Sequence, residues 1–380
     1  MPLPPLIEHL TPLRDAMVQS LEGLVALESP SLDKPRLDIL ASHLEKHFGT
    51  LGLGVQRVAN PEGGDHLRLL LQGRDNSLAP TLVLCHFDTV WPAGTLARMP
   101  FKVEAGRAHG PGVFDMKASL VLAEFAIRAI GSLGQVTPRP VVFLFTSDEE
   151  IGSVTSRKLI EIEAGRSAQV LVMEPCLSGG RFKTARKGVG RFTLEIKGLA
   201  AHAGVEPEKG VSALVELAHQ ILALHALADL KSGTTINVGV VYGGTTSNVV
   251  PAAASAEIDV RVATLGEALR VESAFKALKP VLHGASLTLR GAFNRPPMER
   301  TPAVAGLFER ARAISAQLGM ELGEGSTGGG SDGNFAAALG VPTLDGLGAP
   351  GSGAHAEHEH VLIDTLPTRA ALLAALLLKL

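Results

Sequence analysis

Cysteine is scarce in this chain. Cys85 and Cys176 can form at most one disulfide, and no CxxC pair exists to build a structural zinc site. A reducing compartment, the cytoplasm, is the expected location. Aromatic platforms for stacking bases are almost missing as well, with one Trp and one Tyr, and a formal net charge of -3 leaves no basic surplus to neutralise phosphates. No nucleic acid is expected as a partner. The strongly apolar run from Ala370 to Leu378 is nine residues long, well short of the roughly 20 that a membrane-spanning helix needs. It reads as a buried terminal helix, and no membrane partner is expected. The amino-terminal stretch carries prolines, Glu8, Arg14 and Asp15 where an export signal would be continuously apolar, so none is read there.

What is present is globular: 46% of the residues are apolar and 19% charged. At 380 residues the chain exceeds the usual size of one hydrophobic core, which favours two domains. Apolar positions at helical spacing from Ile7 to Leu27 predict a first helix, stopped by Pro30. His66 to Leu71, Thr81 to Cys85, Val141 to Phe145 and Val170 to Met173 then read as strands, with a helix at Ala118 to Ile130. This alternation predicts an α/β fold, a helix-covered mixed sheet. From Arg186 the character changes to β-α-β-β: a strand in GRFTLEIKG, a helix from Gly210 to Leu227, and strands in INVGVVYGG and AEIDVRV. A helix at Leu265 to Leu278 and a strand at Ser286 to Leu289 complete a ferredoxin-like α+β insert. The expected division is residues 1–184 with 296–380 in one domain and 185–295 inserted.

The chemistry gathers at strand ends and turns. His86-Phe87-Asp88 closes the strand TLVLC, at the kind of sheet edge where α/β folds place ligands. Asp115 lies in GPGVFDMK, Glu149 and Glu150 close the strand in VVFLFTSDEE, Glu174 closes the next in VLVMEP, and His355 sits in GSGAH. Burying several carboxylates together calls for a cation. Histidine with carboxylate suits zinc, with cobalt or manganese able to take its place. Two metals sharing a bridging carboxylate need about five protein ligands, and His86, Asp115, Glu150, Glu174 and His355 make that number. Glu149 and Glu150 are adjacent and point differently, so one can take metal while the other faces a water.

Taken in order, HFD, GPGVFDMK, TSDEEIGS, MEP and GSGAH resemble the aminoacylase and carboxypeptidase family of two-zinc exopeptidases, over nearly the whole chain. The resemblance implies a phosphorylase/hydrolase-like zinc-exopeptidase domain holding two zinc ions per subunit. It implies that Asp115 bridges them, that His86 and Glu174 complete one site and Glu150 and His355 the other, that Glu149 is the general base, and that Asp88 orients His86. It further implies that the insert is a lid through which a homodimer forms, and that His202, in Gly198-Leu-Ala-Ala-His202-Ala-Gly204, stabilises the oxyanion in the partner's active site. GGTTSNVVP followed by EIDVRV resembles the bacterial glutamate carboxypeptidase branch, whose Asn and Arg grip the substrate carboxylate; the matching positions are Asn248 and Arg261. The loop TGGGSDGN, with Gly329 and Ser331, matches the branch and is expected to line the pocket. The implied substrate is a small peptide or an N-acyl amino acid. The implied activity is a glutamate carboxypeptidase-like release of a C-terminal amino acid, with an aminoacylase or a dipeptidase as alternatives. His358 and His360, which follow His355, are expected at the surface.

Readings from other classes leave residues unused. Gly329-Gly-Ser331-Asp-Gly333 fits a GxSxG nucleophile elbow, with Asp345 and His355 following in serine-hydrolase order. The segment before Ser331 is too rich in glycine for the strand that an elbow requires, and Asp115, Glu149, Glu150 and Glu174 would have no task. Gly323-Glu-Gly325-Ser-Thr-Gly328 fits a dinucleotide GxGxxG but lacks the flanking strand and the distant acid. A non-catalytic binding protein would have no need of Glu149 beside a complete ligand set.

Overall fold

The computed structural model describes residues 3–380. The chain divides into two compact units. One holds the residues up to Ala185, Arg300–Ser326 and Ser331–Leu380, and the other holds Arg186–Glu299 and Thr327–Gly330. The first unit resumes at Arg300 rather than at residue 296, and four residues of the glycine-rich loop go with the second unit.

The first unit is built on a six-stranded mixed sheet, in the order Gly54–Val58, His66–Leu71, Val141–Thr146, Thr81–His86, Gln169–Val172, Thr343–Leu344. The last four run parallel, and His66–Leu71 is antiparallel to both its neighbours. Thr81–His86 and Val141–Thr146 are buried at every residue, which is why they read as unbroken apolar runs: helices cover both faces. Successive side chains part to opposite sides. Val83, Cys85, Phe143 and Phe145 join the core under the terminal helix Leu366–Lys379, whereas Leu82, Leu84, Val142 and Leu144 pack with Ile160, Ala164 and Phe335.

The terminal helix is buried from Leu366 through Leu377 apart from Thr368. Among the described residues no helix is long and apolar enough to cross a membrane. The single helix expected over Ile7 to Leu27 is instead two, Leu6–Leu10 and Arg14–Ala26, joined by a 3-10 turn at Thr11–Leu13. Pro12 explains the break, since its ring removes one N–H from the helical ladder.

The second unit carries an antiparallel sheet in the order Thr235–Gly243, Ala253–Val262, Gly188–Lys197, Ser286–Arg295. One face buries Ala254, Ala256, Ile258, Val260 and Val262 against the helices Ala213–His225 and Leu265–Lys276. The first of these helices starts at Ala213, not at Gly210, because the Ser212 hydroxyl accepts the N–H of Val215 as an N-cap.

Candidate metal centre

His86, the Glu149–Ile151 turn and Glu174 all leave the sheet at the carboxyl ends of parallel strands. His86 is in register with Thr146, and Leu84 with Val172. The remaining two ligand candidates come from loops of the same unit. Asp115 precedes the helix Ala118–Ser132, and His355 lies between the short strands Gly351–Ser352 and His360–Leu362. The second of these strands pairs antiparallel with Arg107–His109, which draws the two loops together.

Asp115 stands between two donor groups. Its Oδ1 is 3.1 Å from His86 Nε2, which is also 3.5 Å from Glu174 Oε1. Its Oδ2 is 3.5 Å from His355 Nε2, which lies 3.0 Å from Glu150 Oε2. A carboxylate with one oxygen turned to each pair is what a bridging ligand requires. Glu149 belongs to the first group, since its carboxylate gathers with donor atoms of His86 and Glu174 within 4.8 Å.

Asp88 is wholly buried and does more than face His86. Its carbonyl oxygen is 3.1 Å, and its Oδ1 3.4 Å, from His86 Nδ1, which leaves Nε2 for the site. Its carboxylate also accepts the N–H groups of Glu149 and Glu150, each at 3.2 Å, and the Ser31 hydroxyl at 2.7 Å. One aspartate therefore fixes both a candidate ligand histidine and the turn that bears two acids.

The electrostatics record a concentration of negative charge. Burial pushes Glu150 up to about 7, with the Asp115 and Asp88 charges adding to it against the hydrogen bond from His355. Hydrogen bonds to Asp115 and Glu150 push His355 up to about 10. Burial opposes a charge on His86, yet Asp115, Asp88 and Glu174 raise it well above the ordinary histidine range. Burial likewise opposes ionisation of Asp115, and the two histidines outweigh it and lower its pKa. Glu150 Oε1 is buried with no hydrogen-bond partner. Imidazole Nε2 atoms crowded against carboxylates, together with an orphaned oxygen, fit a divalent cation in each donor group.

Most of the remaining candidates belong to the second unit. In the second unit His202 is exposed, and its Nδ1 accepts the Gly204 N–H at 3.1 Å, so a neutral ring carries its proton on Nε2 and can donate it. The loop of Asn248 pairs with that of His202 through Ala203 N–H to Asn248 O and Val250 N–H to Ala201 O, both at 2.9 Å. Arg261 is held by Asp259 through two bonds, 2.7 and 2.9 Å. It lies at the far end of Ala253–Val262 from the Asn248 loop, a separation of roughly 26 Å at strand rise. Asn248 and Arg261 of one chain therefore do not meet on one carboxylate. The Gly329 carbonyl accepts from Arg186 at 3.2 Å. Ser331 is fully buried and donates to Asp345 at 2.6 Å, while His355, the base that a serine mechanism needs, lies against Asp115 and Glu150. His358 is exposed, whereas His360 is half-buried with its ring 5.4 Å from that of His109.

Two donor groups sharing one carboxylate at the carboxyl edge of an α/β sheet define a metal-dependent hydrolase. The chain belongs to peptidase family M20/M25/M40, whose profile matches residues 82–379, and it is a metallopeptidase acting on amide bonds. It is similar to carboxypeptidase G2 of Pseudomonas sp. (strain RS-16), 32% identical over 99% of this chain and 92% of that protein. It is also similar to succinyl-diaminopimelate desuccinylase of Delftia acidovorans, 29% identical over 91% and 93%. The fold is that of aminopeptidase PepT from Bacillus cereus, with a TM-score of 0.80 at 23% identity over 96% of this chain and 98% of that one. It is equally that of the metallo-carboxypeptidase Sso-CP2 from Sulfolobus solfataricus, with a TM-score of 0.75 at 18% identity over 96% and 99%.

Proposed function

We propose that the protein is a zinc-dependent exopeptidase that hydrolyses the amide bond to a C-terminal amino acid with a free carboxylate, as a glutamate carboxypeptidase does. The observation that carries this reading is Asp115, with one oxygen facing His86 and Glu174 and the other facing His355 and Glu150. These five residues would hold two zinc ions per subunit, with cobalt or manganese able to substitute. Zinc held there supplies a Lewis acid for the scissile carbonyl and acidifies a water beside it. Glu149 takes a proton from the water that adds to the scissile carbonyl and returns it to the amine as the C–N bond breaks. Asp88 keeps His86 turned toward the site and holds the Glu149 turn in place.

His202 donates a hydrogen bond from its Nε2–H to the oxyanion, and Arg261, released from Asp259, receives the substrate carboxylate. The strand separation supports placing Asn248, paired with the His202 loop, and Arg261 at different active sites. A homodimer through the second unit is supported by the edge strand Thr235–Gly243, where Val241 and Tyr242 are 51% and 64% exposed, and by Leu222 at 70%. Gly329 lines the pocket through its backbone, and Ser331 supports that loop from beneath. Both cysteines are free and buried, which suits a cytoplasmic location.

The likeness to the desuccinylase favours a second reading, deacylation of an N-acyl amino acid. The discriminating assay is glutamate release from a folate-type substrate by zinc-loaded and chelator-stripped protein. Release only with metal establishes the carboxypeptidase. No release from either sample removes the glutamate assignment and turns the test to N-acyl amino acids and dipeptides, and equal release from both removes the metal mechanism.

A further inference from the structure

We propose that Glu359 is a positioning residue that sets the orientation of Asp115 by clamping the Gly112–Asp115 loop onto the loop that carries His355. Glu359 is wholly buried, and a carboxylate so placed is costly unless its oxygens are fully hydrogen-bonded. They are: Oε1 accepts the N–H groups of Phe114 and Asp115 at 2.9 and 3.0 Å, and Oε2 accepts the N–H of Gly112 at 3.0 Å and Trp91 Nε1 at 2.8 Å. Three main-chain N–H groups turned onto one anion make a nest, normally a place for a bound ligand and here filled by the protein's own side chain. The nest depends on Gly112, whose φ of +73° is left-handed and where a Cβ would approach Thr89 Cγ2 to 2.6 Å.

The consequence for the site follows from which groups are joined. The N–H of Asp115 is one of the four donors, so the clamp acts on the same residue whose two oxygens face the two donor groups. A small rotation of that main chain would turn Oδ1 from His86 and Oδ2 from His355. At the other end, Glu359 lies four residues beyond His355, in a turn closed by Ala356 N–H to Gly353 O and Glu359 N–H to Ala356 O, each 2.9 Å. A second tie reinforces the first: Arg98, stacked 5.8 Å from the Trp91 ring centre, pairs with Glu357 of the same turn. One side chain thus couples ligands that lie 240 residues apart in the chain, and a glutamate is needed because only a carboxylate offers acceptors alone.

The test measures metal binding. Zinc affinity by chelator competition, the visible spectrum of the cobalt-loaded protein and thermal unfolding are recorded for the full chain, for Glu359→Gln and for Glu163→Gln. Glu163 is a buried carboxylate on Arg68 in the same unit and serves as a control for packing. The amide of Glu359→Gln presents a donor to the nest, so zinc affinity is expected to fall by about 10–100-fold with altered cobalt bands. Glu163→Gln is expected to lower the melting temperature and leave zinc affinity and cobalt bands as they were. Parental affinity and spectrum in a folded Glu359→Gln protein overturn the proposal. If Glu359→Gln does not fold, Trp91→Phe removes one donor of the four; a several-fold loss of zinc affinity supports the clamp and no change overturns it. The proposal rests on the two-metal reading, and the parent separates the two: no zinc uptake by the parent removes that reading, whereas parental uptake unchanged in the variant removes only the role of Glu359.

Discussion

Replacing Asp88 by Asn should weaken the metal centre without emptying the core, and the structure sets the size of the effect. Asp88 Oδ1 accepts the N–H of Glu149, while Oδ2 accepts the N–H of Glu150 and the Ser31 hydroxyl. Whichever way an asparagine amide is turned, its NH2 meets at least one main-chain N–H, so one buried donor loses its acceptor. Such a loss costs about 1–3 kcal/mol, or about 5–150-fold in an equilibrium constant at 1.36 kcal/mol per decade. Because the displaced turn bears both Glu149 and Glu150, the cost should appear as weaker zinc binding and lower kcat, with KM changing little. Chelator competition and steady-state kinetics on the same preparations measure both. Ser31→Ala is the comparison: it frees one acceptor site but leaves both turn N–H groups bonded, and should cost about 1 kcal/mol of stability with kcat intact. Parental zinc affinity and kcat in Asp88→Asn would refute the argument that this carboxylate organises the turn.

Glu149→Gln should retain its zinc, measured by elemental analysis, while turnover drops by about 10²–10⁴-fold; unimpaired turnover would remove the general base. Partial burial opposes ionisation of Asp65, but the N–H of Asn60 and pairing with Lys34 and Arg57 outweigh it and hold the group at about 2. A lowered pKa of this kind adds stability that is fully present above the ordinary value of 3.8 and is lost as pH falls through 2. Asp65→Asn should accordingly cost about 1–2 kcal/mol near neutrality after solvent screening and flatten the acid limb between these two pH values in urea titrations. Leu373→Ala, at a fully packed position of the terminal helix, should cost about 2–5 kcal/mol, read as a lower melting temperature.

The parts of the molecule legible in the sequence are those whose physics is local. Strands buried on both faces declare themselves as apolar runs, so the positions of His86, Glu149, Glu150 and Glu174 at their ends could be read directly. The Arg261–Asp259 pair is just as local: residues two apart on a strand share a face, and an acid there engages the arginine. The break at Pro12 and the cap at Ser212 were equally legible from residue chemistry. Glu359 was not. Three of its four donors are main-chain groups that any sequence possesses, and the fourth, Trp91, is 268 residues away. Its part in the site exists only once the Arg107–His109 and His360–Leu362 strands have paired.

The chain order of the donors has a consequence for biosynthesis. His86, Asp115, Glu150 and Glu174 all precede the second unit, and His355 with its neighbour Glu359 follows it. A nascent chain stalled anywhere within residues 186–299 therefore exposes four donors with neither the fifth nor the carboxylate that closes the nest. Domains fold as units, and the first unit takes its edge strand Thr343–Leu344 and its terminal helix from residues beyond 299, so neither its core nor the centre is complete at that stage. Amide-cutting competence is thereby tied to the residues that follow the second unit, and a product truncated before them lacks both His355 and the terminal helix that covers Val83, Cys85, Phe143 and Phe145.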